Sequence, residues 1–179
     1  MSTATTLALG DRMPTAEKLR GADGKTYTLA SFRDKDLLVV VFVGNGCPTV
    51  RLYEERLLDL HRRFADAGLQ IVLVNSNNAS LSPPDTYERV VERASRSGLP
   101  FPYLKDGDGA LARACGAFCT PHAFVFDGER RLRYRGRIDD SRTGQRVTSH
   151  DLEDAVADLF GGRPVGVAET GPFGCAIVW

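Results

Sequence analysis

The stretch "VVVFVGNGCPTVRLYEERL", residues 39–57, decides the fold because an apolar run changes within it to a helical pattern. Residues 37–43 are apolar and largely β-branched, which is typical of a central strand buried on both faces of a sheet. From Pro48 to about Phe64 the apolar residues recur at helical spacing, which predicts a helix with one buried face. The unit is a strand, a tight turn and a helix, and a cysteine stands at the turn.

The alternation of strand and helix continues along the chain. Residues 69–77 predict a second buried strand, and a polar loop containing "SPPD" leads into a helix that ends near Arg96. The segment 121–139 predicts an antiparallel hairpin with a tight primed turn at Asp127-Gly128. Further helices are predicted near residues 110–116 and from about His150 to Phe160. Together these elements predict an α/β sandwich in which helices flank a mixed central sheet.

The length of 179 residues fits one compact domain. We expect residues 1–160 to form that domain and residues 161–179 to be a Gly/Pro-rich tail containing Cys175. The last five residues, "CAIVW", can form either a strand or an apolar plug docked on the body of the domain.

Charge and hydropathy disfavour several classes of partner. Lys plus Arg and Asp plus Glu both number 23, so net charge gives no indication of a nucleic-acid partner or of an anionic membrane surface. The amino terminus lacks the basic and apolar regions of a signal peptide, and no segment reaches the length of a membrane span. We therefore expect a cytoplasmic protein with neither nucleic acid nor membrane as its partner.

Cys47 is the candidate nucleophile, because the predicted helix begins directly after it. Unpaired backbone N–H groups and the macrodipole at a helix amino terminus stabilise a thiolate and lower its pKa. Gly44 and Gly46 permit the tight turn before it, and Pro48 suits the first helical turn. Arg51, one helical turn later, could support the thiolate or could simply be solvated. The other interpretation of Cys47 is a small buried hydrophobic residue.

The remaining cysteines and histidines give no sign of a metal site. The four cysteines are too few and too scattered for the disulfide framework of a small secreted protein. Cys115 lies among apolar residues of a short predicted helix and is expected to be part of the core. None of the three histidines has metal-ligand spacing with a cysteine pair, so we expect neither a metal nor a bound cofactor.

Four segments resemble the peroxiredoxin-like group of the thioredoxin superfamily, which includes redoxins and alkyl hydroperoxide reductase/thiol-specific antioxidant proteins. They are "FVGNGCPTV", "GAFCTPHAFVFD", "YRGRIDDSR" and "GCAIVW", and the resemblance covers most of the chain. It implies a thioredoxin-like fold in which Thr120-Pro121 is the cis-proline bond that faces the active-site cysteine. It also places Cys119 in the loop opposite Cys47, where it could resolve a sulfenic acid or could simply be packed.

Two departures from the group affect the expected chemistry. Relatives often carry Cys-Asn-His-Cys-Pro where this chain has Gly44-Asn45-Gly46-Cys47-Pro48, so Gly44 replaces the first cysteine of the pair. Gly44 also stands where peroxiredoxins have a threonine three residues before the reactive cysteine. The first departure predicts negligible disulfide reductase activity, which a Gly44→Cys change should create.

The main functional hypothesis is a thiol-dependent oxidoreductase of peroxiredoxin-like type. Cys47 would attack a peroxide or another sulfur electrophile, and Cys119, Cys175 or an external thiol reductant would restore it. A rigidly docked tail is expected to exclude Cys175 and to leave Cys119 as the resolving residue. Expected partners are therefore a small-molecule peroxide or a thiol or disulfide substrate, together with that reductant. The oligomeric state is left open, a homodimer included.

Two other functions remain open at this point. One is a redox-inactive binding module whose groove beside Thr120 and Pro121 holds a peptide strand by main-chain hydrogen bonds, and Gly44 favours it. The other is a specialised enzyme that keeps the fold and uses Cys47 for a different sulfur or acyl transfer.

Overall fold

The computed structural model describes residues 6–15 and 18–179. Its strands are β1 (Leu19–Gly21), β2 (Thr26–Tyr27), β3 (Leu37–Val43), β4 (Leu69–Asn75), β5 (Tyr103–Lys105), β6 (Cys119–Thr120), β7 (His122–Phe126), β8 (Leu132–Gly136) and β9 (Cys175–Ala176). Its α-helices are α1 (Pro48–Phe64), α2 (Tyr87–Ser97), α3 (Ala110–Cys115) and α4 (Asp151–Phe160). None of the helices in the described ranges is long and apolar enough to cross a membrane.

Seven of these strands form a mixed sheet in the order β2-β1-β5-β4-β3-β7-β8. Strand β3 lies inside it, parallel to β4 and antiparallel to β7, and all seven of its residues are buried. Its side chains alternate between two cores: Val39 and Val41 face α1, α2 and α4, whereas Val40 and Phe42 face α3 and the turn around Leu29. The predicted thioredoxin-like α/β sandwich with a mixed sheet is therefore confirmed.

The hairpin of β7 and β8 is confirmed, but its predicted tight primed turn at Asp127-Gly128 is wrong. The strands are joined by a longer loop in which Arg130 takes the positive φ, 60°. The Asp127 carboxylate accepts hydrogen bonds from the backbone N–H groups of Glu129 and Arg131, at 2.9 and 3.0 Å. Because the Asp127 side chain accepts these backbone N–H groups, the longer loop is stabilised without a two-residue turn.

The last segment of the chain docks on the body as both a strand and an apolar plug. Strand β9 pairs antiparallel with β6 in a separate two-stranded sheet. Ile177 follows it and is buried in the same core as Leu111 and Cys115. The Trp179 ring then packs against the Arg113 guanidinium, 4.5 Å from the ring centroid. Strand β9 of the tail thus lies beside β6, the strand that precedes Pro121.

His122, in β7, is a buried neutral histidine and gives a prediction for acid stability. It packs against the rings of Phe118 and Phe124, with centroids 5.2 and 4.5 Å away. Burial, with a smaller contribution from the Arg135 charge, lowers the pKa of His122 to about 4. Because the unfolded chain takes up this proton near its ordinary pKa of 6.5, the stabilisation is present above that pH and is lost as pH falls towards 4.

We expect His122→Gln to remove this part of the acid sensitivity. The histidine should account for a loss of up to roughly 3 kcal/mol in the free energy of unfolding between pH 7 and pH 4. Urea unfolding of both proteins across this range measures the difference, in which the carboxylates common to both cancel. Parallel stability curves for the two proteins would show that His122 does not carry the effect.

Candidate functional site

Cys47 lies where β3 ends and α1 begins, as the sequence predicts. It is the N-cap residue of α1, with Pro48 as the first helical residue, and only 4 % of its surface is exposed. Its Sγ lies 3.3 Å from the backbone carbonyl oxygen of Thr120, to which the protonated thiol donates a hydrogen bond. The Thr120-Pro121 bond is cis, which confirms the expectation from the resemblance.

The tail brings Cys175 to the same place. Thr120 in β6 lies directly opposite Cys175 in β9, and the Cys175 thiol is one of the groups that lower the pKa of Cys47. A docked tail was expected to exclude Cys175, but antiparallel pairing holds Cys175 opposite Thr120 in the docked state. Which cysteine resolves Cys47 stays a prediction.

Several donors favour the thiolate of Cys47. Burial by itself raises the pKa of this thiol, but the Cys175 and Thr120 side chains and the backbone N–H groups of Val50 and Cys175, which can all donate to a thiolate, outweigh it, so the pKa is lowered. The Thr120 hydroxyl is buried and has no hydrogen-bond partner among the described residues, so its O–H is available to a thiolate at Cys47. Donors from two distant segments therefore add to the effect that the start of α1 has on the pKa of Cys47.

The other three thiols stay protonated at neutral pH. Burial, the hydrogen bond with Cys47 and the charge of Cys47 raise the pKa of Cys175 to about 11. Burial and the charge of Cys47 raise the pKa of Cys119, also to about 11. Burial, with the Asp106 charge, raises the pKa of the core residue Cys115 to about 12. Among the four cysteines, all of which are described, only Cys47 has a lowered pKa.

The place of the missing cysteine is filled by an amide. A Cβ on Gly44 would lie 2.7 Å from Asn77 Nδ2 and 3.6 Å from Thr120 Oγ1. Asn77 Nδ2 donates to Asp85 at 3.0 Å, and its Oδ1 accepts from the Val178 N–H of the tail at 2.8 Å. The amide therefore connects the active-site turn to the tail.

Asp85, which is buried, holds the rest of the turn. Its carboxylate accepts a hydrogen bond from the Asn45 backbone N–H at 2.7 Å and others from the Asn75 and Ser82 side chains. The Asn45 side chain is also fixed, because its Oδ1 accepts from the Tyr103 hydroxyl at 2.6 Å. Sequence reasoning missed Asp85 and Asn77, since the only local signal around them is the turn composition of a polar loop.

Arg51 is exposed, whereas Cys47, whose thiolate it was expected to support, is buried. Arg51 lines an open groove of about 520 Å³ beside α2, together with Asn45 and three arginines of that helix. Gly46 is exposed at the same turn, with Pro84 next to it. Thiolate support from Arg51 stays a prediction. No group of three or more His, Cys, Asp or Glu side chains in the described ranges could hold a metal ion.

We expect Thr120→Val to raise the pKa of Cys47, because it removes one hydroxyl donor while keeping the shape of the side chain. Loss of a hydrogen bond to a charged group should move the titration midpoint upwards by about one pH unit. Ultraviolet absorbance of the thiolate, taken as the difference from a Cys47→Ser protein, measures it. Thr143→Val, in an exposed loop, is the control. Equal midpoints for the two threonine variants would contradict the role of Thr120.

Similar proteins are known both as crystal structures and as sequences. A hypothetical protein of Sinorhizobium meliloti 1021 has a crystal structure that matches this one with a TM-score of 0.89 and 41% identity, over 98% of this chain and 96% of that one. The thiol:disulfide interchange protein DsbE of Yersinia pestis is 31% identical over 63% of this chain, and the match spans only 54% of that protein. A Mycobacterium tuberculosis protein whose name assigns it provisionally to the peroxiredoxins is 30% identical, over 66% of this chain and 69% of its own length.

A match to a family model covers more of this chain than the sequence relatives do and shows its family. The model of the family described as Redoxin matches residues 8–156, which include Cys47, Thr120 and Pro121. That span covers the seven-stranded sheet and all four helices except the end of α4, whereas Cys175 and β9 lie beyond it. This chain belongs to the Redoxin family, and is a peroxiredoxin-like member of the thioredoxin superfamily.

Proposed function

We propose that this thiol oxidoreductase reduces hydroperoxides, with Cys47 as the nucleophile and Cys175 as the resolving cysteine. The observation that carries the proposal is the β6–β9 pairing, which holds Cys175 opposite Thr120, the residue whose carbonyl oxygen lies 3.3 Å from Cys47 Sγ. Cys47 has the lowered pKa and Cys175 the raised one, so Cys47 loses its proton more readily than Cys175 does. This is the arrangement that a nucleophile and its resolving partner require.

The first step is oxidation of Cys47. The thiolate attacks the terminal oxygen of a hydroperoxide, so that an S–O bond forms and the O–O bond breaks. The alkoxide or hydroxide that leaves takes up a proton and departs as alcohol or water. The sulfur is oxidised to a sulfenic acid and the peroxide is reduced.

The second step uses the neighbouring thiol. The Cys175 sulfur attacks the Cys47 sulfur, an S–S bond forms and the S–O bond breaks, and the hydroxide leaves as water with the proton of the Cys175 thiol. Two equivalents of an external thiol reductant then return the disulfide to two thiols and become a disulfide themselves. Cys175 is half-buried whereas Cys47 is buried, so the reductant reaches Cys175 first.

The competing assignments have less support. Cys119 is buried in β6 opposite Ala176, and it is not among the groups that lower the pKa of Cys47. The binding-module hypothesis needs the edge of β6 for a peptide, but the chain's own tail occupies that edge. No observation favours a different sulfur or acyl transfer. An antioxidant role in the cytoplasm fits the proposal, because a reducing compartment keeps both thiols free.

Peptide mapping after one equivalent of hydrogen peroxide tests the proposal. We expect a Cys47–Cys175 disulfide in the natural chain and a persistent Cys47 sulfenic acid in a Cys175→Ser protein. Cys115→Ser is the matched control and should form the same disulfide as the natural chain, because Cys115 is fully buried in the opposite core. A bridge from Cys47 to Cys119, or no oxidation at Cys47, would overturn the assignment.

Gly44→Cys alone is expected to create no disulfide reductase activity, which differs from the expectation drawn from the sequence. The new Cβ would lie 2.7 Å from Asn77 Nδ2, closer than real contacts allow, and Asn77 is held on both sides. The double change Gly44→Cys/Asn77→Ala should raise insulin reduction by roughly tenfold or more, because it completes a Cys-Xaa-Xaa-Cys pair. Asn77→Ala alone is the control. Activity in the Gly44→Cys protein equal to that of the double variant would contradict the steric argument.

A further inference from the structure

The last six residues cover the reactive sulfur while being held by few contacts of their own. The backbone N–H of Ile177 donates to the Phe118 carbonyl at 3.0 Å, and the N–H of Asn78 donates to the Val178 carbonyl at 2.7 Å. Of residues 174–179 only Ile177 is buried; Gly174, Ala176 and Trp179 are exposed. A segment with one buried side chain and a two-residue pairing belongs to the low-stability part of a fold.

Gly174 fits this segment against the site more tightly than any other residue can. It has a φ of 150°, and a Cβ there would lie 1.9 Å from the Thr120 carbonyl oxygen, a backbone atom that the β6–β9 pairing fixes. Gly171, three residues earlier, differs in both respects, since a Cβ there would meet nothing within 4 Å and it is not among the positive-φ glycines. An alanine at position 174 should therefore disturb docking of the tail, whereas an alanine at position 171 should leave it intact.

We propose that residues 174–179 form a displaceable strap that restricts Cys47 to small hydroperoxides. This inference rests on the proposed function and specifies its substrate class. While the strap is docked, Cys47 is 4 % exposed and the edge of β6 is paired, so bulky hydroperoxides and extended protein substrates are excluded. The strap carries Cys175, so the segment that excludes large substrates also supplies the resolving thiol.

The strap also explains the position of Asn77. Its side chain accepts the Val178 N–H, and the next backbone N–H, that of Asn78, donates to the Val178 carbonyl. Both groups lie in the loop after β4, whose Asp85 also holds the active-site turn. Displacement of the strap therefore removes contacts from the wall of the site without breaking a strand of the central sheet.

The test compares Gly174→Ala with Gly171→Ala in the 179-residue chain, without any peroxide. The measured quantity is the ratio of two Cys47 alkylation rates, one with a maleimide carried on a polyethylene glycol chain and one with iodoacetamide, resolved by peptide mapping. We expect Gly174→Ala to raise this ratio by on the order of tenfold, because the docked population that blocks the larger reagent falls. Gly171→Ala should leave it unchanged.

Two further measurements distinguish displacement of the strap from general unfolding. Trp179 is the only tryptophan of the chain, so its fluorescence reports whether the strap has left Arg113. Cys115 should stay slow with both reagents, because rapid labelling there would signal general unfolding. Ile177→Asp places a charge in the strap's buried position and provides a second route to displacement.

A ratio that stays at the natural value in both Gly174→Ala and Ile177→Asp would overturn the strap. The proposed function fails separately, if Cys47 is alkylated readily yet hydrogen peroxide yields neither its sulfenic acid nor the disulfide with Cys175. An increased ratio together with that failure would leave the strap in place over a thiol of different chemistry.

Discussion

The antiparallel pairing of two short strands, Cys119–Thr120 and Cys175–Ala176, is the constraint on which the site depends. Thr120 accepts the Cys47 S–H through its carbonyl and lies opposite Cys175. The approach of the two backbones is so close that Gly174 has no room for a Cβ. Without this pairing Cys175 would belong to a free tail, and Cys47 would lose two of the donors that lower its pKa, the thiol and the backbone N–H of Cys175.

A buried polar network links the loss of one cysteine to the docking of the tail. Asp85 is a nearly inaccessible carboxylate, and such a group is tolerated in a core only when donors surround it. One of those donors is the Asn77 amide, which projects into the space beside Gly44 and also holds Val178. Lys105, buried as well, donates to the Asn77 carbonyl at 2.6 Å and to the Asn75 side chain. The residues that replace the first thiol are thus also the residues that anchor the segment carrying Cys175.

The sequence predicted the parts of the molecule that have a long periodic signal. Residues 37–43 and 48–64 form the strand and helix with the predicted bounds, and Cys47 lies between them. The β6–β9 pair could not be found in this way, because two residues show no periodicity and their partners are more than fifty positions apart. Asn77 gave no signal either, since its role depends on the space left by the missing side chain of Gly44, more than thirty positions away. The place of Cys175 gave no signal for the same reason, because it depends on a pairing of two residues.

The paired thiols also suggest an order of events for the proposed reaction. While Cys47 is a thiolate, its negative charge and its hydrogen bond help burial to keep the Cys175 proton in place, and that proton stabilises the nucleophile. Oxidation converts Cys47 to a neutral sulfenic acid, which removes both effects and leaves burial as the main cause that holds the pKa of Cys175 up. The resolving thiol therefore becomes easier to deprotonate only after its partner has been oxidised. Cys119 responds less, because it lacks the hydrogen bond and burial is the larger cause of its raised pKa.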